Sequence, residues 1–188
     1  MSESTQTKQA IKQALIESCK TKPFQKISVQ EIAKKAGINR QTFYYHFTDK
    51  YNLLRWVYRE HAFQFLNAGE LSLENWEEQV LKMLKAISEQ KEFYSNTVSS
   101  DQEILSTDFS VVTQNLFIKL FDEIDEEKQL STKDKYFYAR FFSYGCGGVL
   151  VNWILNDYEE SPMDMAVQLF RLAKDVEFFS YRLYEKEE

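Results

Sequence analysis

The chain has 188 residues, 44% of them apolar, which is enough for a packed core. Five Gly and two Pro leave too few turns for a many-stranded fold, so an all-α fold of about nine helices is predicted. The net charge of −6 is uneven: residues 1–55 hold ten Lys or Arg against four Asp or Glu, and the remainder holds 13 against 25. This asymmetry indicates a basic N-terminal module on an acidic body.

Several classes of protein are disfavoured by the same composition. No apolar leader follows Met1, and the longest nearly apolar stretch, 144–155, is too short to span a bilayer. We therefore expect no membrane contact and a cytoplasmic location. The two cysteines, Cys19 and Cys146, supply neither a disulfide framework nor a zinc site, and both are expected to be small hydrophobic residues inside helices.

Motifs of the common enzyme classes are missing from the sequence. It has no phosphate-binding glycine loop, no GxSxG and no HExxH, and the run GCGG at 145–148 follows a helical pattern rather than a strand. His61 has no second histidine in the C-terminal part of the chain with which to hold a metal, and nothing supports a nucleophilic pair of Cys146 with His61. We predict that the chain is not an enzyme and that it has no catalytic residue, no metal and no cofactor.

The N-terminal quarter carries closely spaced helix signals. Apolar residues at a 3.6-residue spacing predict a first helix over 5–19. Ser28 opens a capping box, completed by a Glu three residues later, that starts a second helix. Gly37 is the expected left-handed residue that ends it, and Asn39 is expected to cap a third helix over 40–47. Two short helices joined by so tight a turn predict a helix-turn-helix.

The third helix contains an unbroken run of rings, Phe43-Tyr44-Tyr45-His46-Phe47. Five consecutive rings cannot all face one core on a regular helix. Phe43 and Phe47, four residues apart, lie on one face and are predicted to be buried. The other three rings then face solvent or a partner.

The rest of the chain is also predicted to be helical. Thr48 is expected to cap a fourth helix, and Ser161-Pro162 to begin the last one. Helical periodicity predicts four further ranges: 49–65, 75–90, 109–124 and 133–156. A shorter helix is predicted around Phe93, whereas the Ser/Thr-rich segment 97–107 is predicted to be a loop.

Two features near the C-terminus predict a homodimer. Glycine inside a helix costs roughly 1 kcal/mol relative to Ala, so Gly145 and Gly148 are expected where two helices approach closely. In the last helix, apolar residues recur in steps of four and three and form a seam like that of a coiled coil: Met165, Leu169, Leu172, Val176 and Phe179. The glycines and this seam together are the predicted dimer interface.

The run ISVQEIAKKAGINRQTFYYHFTDKYNLL, residues 27–54, resembles the N-terminal signature of the TetR (tetracycline repressor) family of bacterial transcription regulators. The agreement extends over the spacing of Ala33 and Gly37, the run 42–44, the pair 46–47 and Lys50. The C-terminal run YGCGGVLVNWI…SPMDMA is more loosely similar to the subgroup of dihydroxyacetone-kinase regulators.

The resemblance implies a division of labour along the chain. Residues 1–48 are expected to form the DNA-binding domain, and residues 49–188 a helical domain that binds an effector and pairs two subunits. The expected partners are double-stranded operator DNA, a second copy of the chain, and a small-molecule or protein effector that the sequence does not identify.

Both the resemblance and the exposed first turn of the third helix assign Arg40, Gln41 and Thr42 to reading bases in the major groove. The resemblance assigns six further residues to DNA phosphates: Ser28, Gln30, Tyr44, Tyr45, His46 and Lys50. Donors at the ends of a helix are suited to that role. For three of these residues a structural role is the alternative: Arg40 as a solvated surface charge, Tyr44 as a half-buried ring, and His46 as a ring packed on the fourth helix.

Repression released by an effector is the first functional hypothesis. Aromatic residues are abundant over 56–155, and at helical spacing they are more often core than ligand pocket. The alternatives are activation through a protein partner and an interaction module with a degenerate DNA-reading head. The intact turn at 40–42 argues against the last of these.

Overall fold

The computed structural model describes residues 3–67, 75–125 and 130–172, apart from the side chain of Ile124. Within these ranges the regular structure is entirely helical, which confirms the all-α prediction. The α-helices, in chain order, are α1 (Glu3–Cys19), α2 (Val29–Lys35), α3 (Arg40–His46), α4 (Lys50–His61), α5 (Trp76–Glu89), α6 (Lys91–Ser100), α7 (Gln102–Ile124), α8 (Thr132–Leu155) and α9 (162–172). Two short 3-10 helices, Phe24–Lys26 and Phe63–Leu66, lie between α1 and α2 and after α4.

The predicted helix-turn-helix is confirmed with its capping residues. Ser28 Oγ accepts from the Glu31 amide at 3.2 Å while Glu31 Oε2 accepts from the Ser28 amide at 2.8 Å, which completes the capping box that begins α2. At the other end Gly37 has φ +69°, and the Ile38 amide donates to the Ala33 carbonyl at 3.0 Å. This is a Schellman ending, which requires a residue tolerant of the left-handed region. It turns the chain directly into α3.

The cap predicted for the fourth helix was wrong by one residue. Asp49 rather than Thr48 is the N-cap, because its Oδ1 accepts from the amides of Tyr51 and Asn52 at 2.8 and 2.7 Å. A carboxylate that accepts two amide protons also interacts favourably with the positive end of the helix dipole. Lys50 therefore becomes the first residue of α4.

The loop predicted over 97–107 was also wrong. There α6 continues to Ser100 and α7 starts at Gln102, so that Asp101 is the single residue between them. Thr97 is fully buried and its hydroxyl donates to the carbonyl of Phe93 at 2.8 Å, so this Ser/Thr-rich stretch satisfies its hydroxyls within the helix. Asp101 caps α7 by accepting from the Glu103 amide at 3.1 Å.

α7 and α8 form a closely packed antiparallel pair in the body. Gly147 lies against α7, where an added Cβ would stand 3.3 Å from Ser110 Oγ. That approach accounts for one glycine of the GCGG run. Around Gly145 and Gly148, by contrast, nothing lies within 4 Å of such a Cβ. The two glycines that the sequence assigned to a helix contact therefore lie on the outer side of α8.

A single apolar cluster runs from α1 into the body. Tyr58 of α4 is stacked on Tyr94 of α6, with ring centroids 5.5 Å apart, and its hydroxyl donates to Thr97 Oγ1 at 2.7 Å. Burial raises the pKa of the Cys19 thiol to about 12 and that of Cys146 to about 11. Both thiols stay protonated at neutral pH; Cys19 is buried as predicted and Cys146 is half-buried. None of the helices in the described ranges has the length and apolarity needed to cross a membrane.

Candidate nucleic-acid interface

The first turn of α3 points away from the core. Asn39 Oδ1 accepts from the Thr42 amide at 2.8 Å and fixes the start of the helix. Phe43 is fully buried beneath this turn, and Phe47 is 3% exposed, which confirms the inward prediction for both rings. Arg40 and Gln41 are exposed on the opposite side. A helix anchored by its apolar face in this way can offer its first turn to a DNA groove.

Arg40 is held against Tyr44 one turn later in the same helix. Its Nη2 donates to the Tyr44 hydroxyl at 3.1 Å, and its guanidinium lies 5.3 Å from the centre of the Tyr44 ring. The Tyr44 side chain is 44% exposed. Arg40 is therefore neither a free surface charge nor buried, and its planar donor group is ordered before any partner binds.

The remaining side chains of α3 differ in their exposure to solvent and in their contacts within the protein. Thr42 is half-buried, and its hydroxyl donates to Asn39 Oδ1 at 3.1 Å. Tyr45 is 82% exposed. His46 is half-buried, with its ring edge-to-face against Tyr45 at 5.0 Å between centroids. The ring that packs on α4 is Phe47, 5.3 Å from Trp56.

Lys50 occupies a position that its predicted phosphate role does not anticipate. Its Nζ donates to three main-chain carbonyl oxygens, those of Phe24 at 3.0 Å, Gln25 at 2.8 Å and Ile27 at 3.0 Å. An ammonium group has three protons, so all of them are engaged within the protein. Burial lowers the pKa of Lys50. This geometry favours a structural role and leaves no donor for a phosphate.

The two residues predicted at the start of α2 also differ from each other. The Ser28 hydroxyl donates to Glu31 Oε2 at 2.8 Å, so its proton is used within the capping box. A hydrogen bond from Lys22, followed by those from Ser28, lowers the pKa of the Glu31 carboxyl to about 2. Gln30 is exposed and, with Lys34 and Arg40, lines an open cleft of about 410 Å³ between α2 and α3.

An ion-pair cluster that the sequence did not reveal joins α4, the helix that follows the helix-turn-helix, to α7. Asp108 of α7 is 3% exposed, and its Oδ1 accepts from Arg55 Nη1 at 2.9 Å and Arg59 Nη2 at 3.1 Å. Both arginines belong to α4, which follows the reading helix directly. The sequence signal was weak because an acidic residue in a helix usually marks a solvated face.

The body holds a second cleft, of about 310 Å³, between α7 and α8. Hydroxyl groups line one wall and glycines of α8 line the other: Ser106, Thr107, Ser110, Gly147 and Gly148. Several large aromatic residues of the body belong to the core instead, and the largest fully buried ones include Trp153, Tyr58, Tyr94 and Phe93.

His61 lies between α4 and α6. Its Nδ1 is 3.0 Å from the Tyr94 hydroxyl, and burial, followed by the nearby charge of Lys12, lowers its pKa. Among the residues that the structure describes, no three His, Cys, Asp or Glu side chains converge as a metal site requires. His61 is thus part of a buried hydrogen-bonded contact.

One side of α8 is apolar and uncovered in the single chain. We call it the α8 aromatic face and define it by exposed residues that recur every three, four or seven positions: Phe137, Phe141, Tyr144, Gly148 and Leu155. Phe141 and Tyr144 are each 65% exposed. A contiguous exposed apolar surface of this kind marks an interaction site.

The residues predicted for the seam of the last helix fall into four groups. Met165 is 5% exposed and belongs to the core of its own chain, Leu169 is half-buried, and Leu172 is 53% exposed. Val176 and Phe179 lie outside the described residues. The described part of α9 therefore contributes less exposed apolar surface than α8 does.

A bundle of helices that presents an N-terminal helix-turn-helix defines a DNA-binding transcription regulator. The model of the tetR family of bacterial regulatory proteins matches residues 12–57, and a model described as a transcriptional regulator C-terminal region, of the TetR type, matches residues 74–175. The second match alone spans more than half of the chain. The chain belongs to the TetR family of transcriptional regulators.

Individual relatives agree with that assignment. The chain is 27% identical over 145 residues to DhaS, the HTH-type transcriptional activator of the dhaKLM operon of Lactococcus lactis subsp. lactis (strain IL1403), with 75% of each chain covered. A solved structure of the dihydroxyacetone kinase operon activator DhaS has a TM-score of 0.67 at 24% identity, covering 88% of this chain and 93% of that one. NalD, the secondary repressor of the MexAB-OprM efflux pump in Pseudomonas aeruginosa, has a TM-score of 0.58 at 17% identity, covering 90% and 95%. The two structural likenesses show the fold.

Proposed function

We propose that this regulator binds an inverted-repeat operator as a homodimer and reads bases with Arg40, Gln41 and Thr42. The observation that carries the proposal is the first turn of α3, exposed above the buried ring of Phe43. Arg40 is suited to a bidentate contact with guanine and Gln41 to one with adenine. The Thr42 hydroxyl is already engaged with Asn39, which leaves its methyl group for contact with a thymine methyl.

Phosphate contacts are proposed for the donors that flank this turn. Four residues of α3 and the neighbouring α2 have an exposed or half-buried polar side chain: Tyr44, Tyr45, His46 and Gln30. Ser28 is a weaker candidate, because a contact from its hydroxyl would require it to give up its bond to Glu31. Lys50 is assigned to positioning instead. Phosphate contacts fix register and carry no base information.

We further propose that the α8 aromatic face is the centre of the dimer interface. Aromatic residues are enriched at interface cores, and glycines on the outer side of α8 allow a second α8 to approach. In this proposal Gly145 and Gly148 lie where the two α8 helices approach closely, as predicted from the sequence, and Leu172 of α9 adds to the interface. Met165 does not contribute to the interface, because it is buried in the core of its own chain.

Two directions of regulation have support. Repression released by an effector is the first, and the fold is shared with NalD, a repressor. Activation is the second, favoured by the sequence relative DhaS, which is named as an activator. The body cleft of about 310 Å³ is at the small end of the range of ligand sites. A small-molecule or a protein effector is compatible with either direction. A promoter-reporter assay with and without the gene separates the two directions, because loss of an activator lowers expression.

The test of operator binding is selection of duplexes from a random-sequence pool by the wild-type protein. The enriched sequence should be an inverted repeat whose half-sites lie about 10 bp apart or a multiple of this, as a two-fold pair of reading helices requires. Because bound operator lies in the bacterial cytoplasm, that is the compartment in which we propose the protein acts. If no inverted repeat is enriched, the proposal is wrong.

Arg40→Ala tests the base-reading assignment. It should relax base preference at one position per half-site, a loss of about 1–3 kcal/mol of discrimination. Lys34→Ala, also exposed beside the cleft, is the matched control and should weaken binding evenly across sequences. An even loss for Arg40→Ala as well would make Arg40 a phosphate contact.

A further inference from the structure

The segment that joins α1 to α2, residues 20–28, belongs to the DNA-binding domain and contacts α6 of the body. We call it the α1–α2 loop. It contains the 3-10 helix Phe24–Lys26 and ends in Ser28, the cap of α2. Since α2 packs against α3, the placement of this loop influences where the reading helix lies.

One amide of the body makes three hydrogen bonds with the main chain at the loop. Asn96 of α6 accepts from the Phe24 amide through Oδ1 at 2.8 Å. Its Nδ2 donates to the carbonyls of Cys19 at 2.6 Å and Lys22 at 2.9 Å. The acceptor and both donors of the side chain are thus satisfied by a segment more than 70 residues away in sequence. A further bond between the loop and α6, from Gln25 Nε2 to the Ser100 carbonyl at 2.7 Å, lies at the other end of the contact.

The same loop is bound from the opposite direction by Lys50. Its three hydrogen bonds reach the carbonyls of Phe24, Gln25 and Ile27, and its Nζ lies 4.8 Å from the centre of the Phe24 ring. Phe24 is therefore held by its amide to Asn96 and by its carbonyl to Lys50. Lys50 is the first residue of α4 and follows the reading helix closely. The loop is connected both to the body and to the end of the helix-turn-helix.

We propose that Asn96 is a positioning residue for DNA recognition, which, together with Lys50, fixes the α1–α2 loop and so sets the orientation of α2 and α3 relative to the body. The proposal rests on the DNA-binding function proposed above. The burial of Phe24 stabilises the contact but does not define its register, because apolar burial is non-directional. Hydrogen bonds do define it, since their strength falls steeply with distance and angle.

α6 is well placed to connect the loop with other parts of the body. It packs against α8 and α1, and its Thr97 accepts a hydrogen bond from Tyr58 of α4 at 2.7 Å. A displacement of α6 therefore moves the three groups to which Asn96 is bonded, or breaks those bonds. This contact is separate from the ion pairs of Asp108, which connect the body to α4 alone.

The test compares Asn96→Ala with Trp153→Phe in the full-length protein. Trp153 is buried in the C-terminal part of the body and donates to the Glu160 carbonyl at 2.9 Å, so its replacement destabilises the protein without touching the loop. The probe is a labelled duplex carrying the inverted repeat that the wild type enriches from the random pool. Affinity is measured at a temperature at which circular dichroism shows all variants fully folded, and amide hydrogen exchange is followed in peptides covering 20–28.

Asn96→Ala should raise exchange in the loop and weaken operator binding about fivefold to tenfold, in keeping with the loss of three partly buried hydrogen bonds. Trp153→Phe should leave both unchanged within about twofold of the wild type. Gln25→Ala, at an exposed residue, is a milder variant that keeps the test available if Asn96→Ala fails to fold, and it should weaken binding about twofold to threefold.

Two results would overturn the proposal. Faster exchange in the loop with unchanged operator affinity would show that the loop does not orient the reading head. Equal losses of affinity in Asn96→Ala and Trp153→Phe would show a general effect of stability. Absence of any repeat enriched by the wild type would instead refute the DNA-binding function on which the proposal rests, and it is recognised before any variant is made.

Discussion

Arg55 of α4 and Asp108 of α7 form an ion pair, 2.9 Å between Nη1 and Oδ1, that connects the helix after the helix-turn-helix to the long helix α7. The Asp108 side chain is 4% exposed and the Arg55 side chain 39%, so the carboxylate is desolvated while the guanidinium keeps contact with water. Arg59 adds a second donor to the same oxygen at 3.1 Å. A buried carboxylate is costly unless it is paired in this way.

Asp108→Ala should lower the free energy of unfolding by roughly 2 kcal/mol, less than the roughly 3–5 kcal/mol of a fully buried pair because the arginines are partly exposed. Urea denaturation gives the value. Asp122→Ala on the same helix is the control, since Asp122 pairs with Lys135 at 2.5 Å but is 60% exposed. The control should lose well under about 1 kcal/mol. Equal losses would mean that burial of Asp108 adds nothing to the pair.

The three carbonyl contacts of Lys50 lead to a second prediction, for Lys50→Met. This variant should weaken operator binding without changing the slope of log K against log salt. A lysine that neutralises a phosphate contributes about 0.9 to that slope, whereas a lysine spent on carbonyls contributes nothing. Lys26→Met, at an exposed lysine of the α1–α2 loop, serves as a control for the loss of one positive charge. If the slope decreases by about 0.9 in Lys50→Met but not in Lys26→Met, Lys50 contacts a phosphate after all.

His61 gives the protein a defined response to pH. Burial lowers its pKa in the folded state below the ordinary value of 6.5. Below about pH 6.5 the unfolded chain therefore binds a proton that the folded chain does not, and stability falls as the pH falls toward the folded-state pKa. Above pH 6.5 this contribution is fully present and constant.

His61→Gln, which retains a polar side chain for the Tyr94 hydroxyl, should reduce the loss of stability as the pH is lowered below about 6.5. The measurement is the urea midpoint at each pH for the wild type and the variant. His46→Gln is the matched control at the only other histidine of the chain. If the His61→Gln profile parallels that of the wild type, the acid sensitivity arises from other groups.

Local signals explain why the helix-turn-helix could be predicted from the sequence. The residues that define it act on their immediate neighbours: Ser28 on the amide three residues on, Gly37 on its own φ, and Asn39 on the start of α3. The inward pair Phe43 and Phe47 also follows from spacing alone. Such signals need no knowledge of the tertiary fold.

The incorrect loop prediction depended on a partner distant in sequence. Segment 97–107 contains many loop-forming residues, but Thr97 is buried against Tyr58, and this burial overrides the local preference. The local sequence shows no hydrogen-bond partner for Lys50, because the carbonyls that it contacts lie 23 to 26 residues earlier. The contact within the chain falls on Gly147, between Gly145 and Gly148, and the role of those two glycines at a dimer interface stays a prediction.

The α8 aromatic face supports a last prediction, that Phe141→Glu gives a monomer. Phe141 lies at the middle of that face and is 65% exposed, so a carboxylate there is harmless to the single chain but would be buried without a partner in a dimer. Sedimentation equilibrium should show a mass near 22.4 kDa for the variant and twice that mass for the wild type. Operator affinity should fall with it, because a monomer engages one half-site at a time.

Tyr136→Glu is the matched control for the same chemical change on the same helix. Tyr136 is 52% exposed and, five residues from Phe141, lies about 140° around the helix from it. It should remain dimeric and bind the operator as the wild type does. A Phe141→Glu protein that stays dimeric while Tyr136→Glu dissociates would place the interface on another side of α8. Two dimeric variants would remove α8 from the interface and direct attention to α9, where Leu172 is exposed.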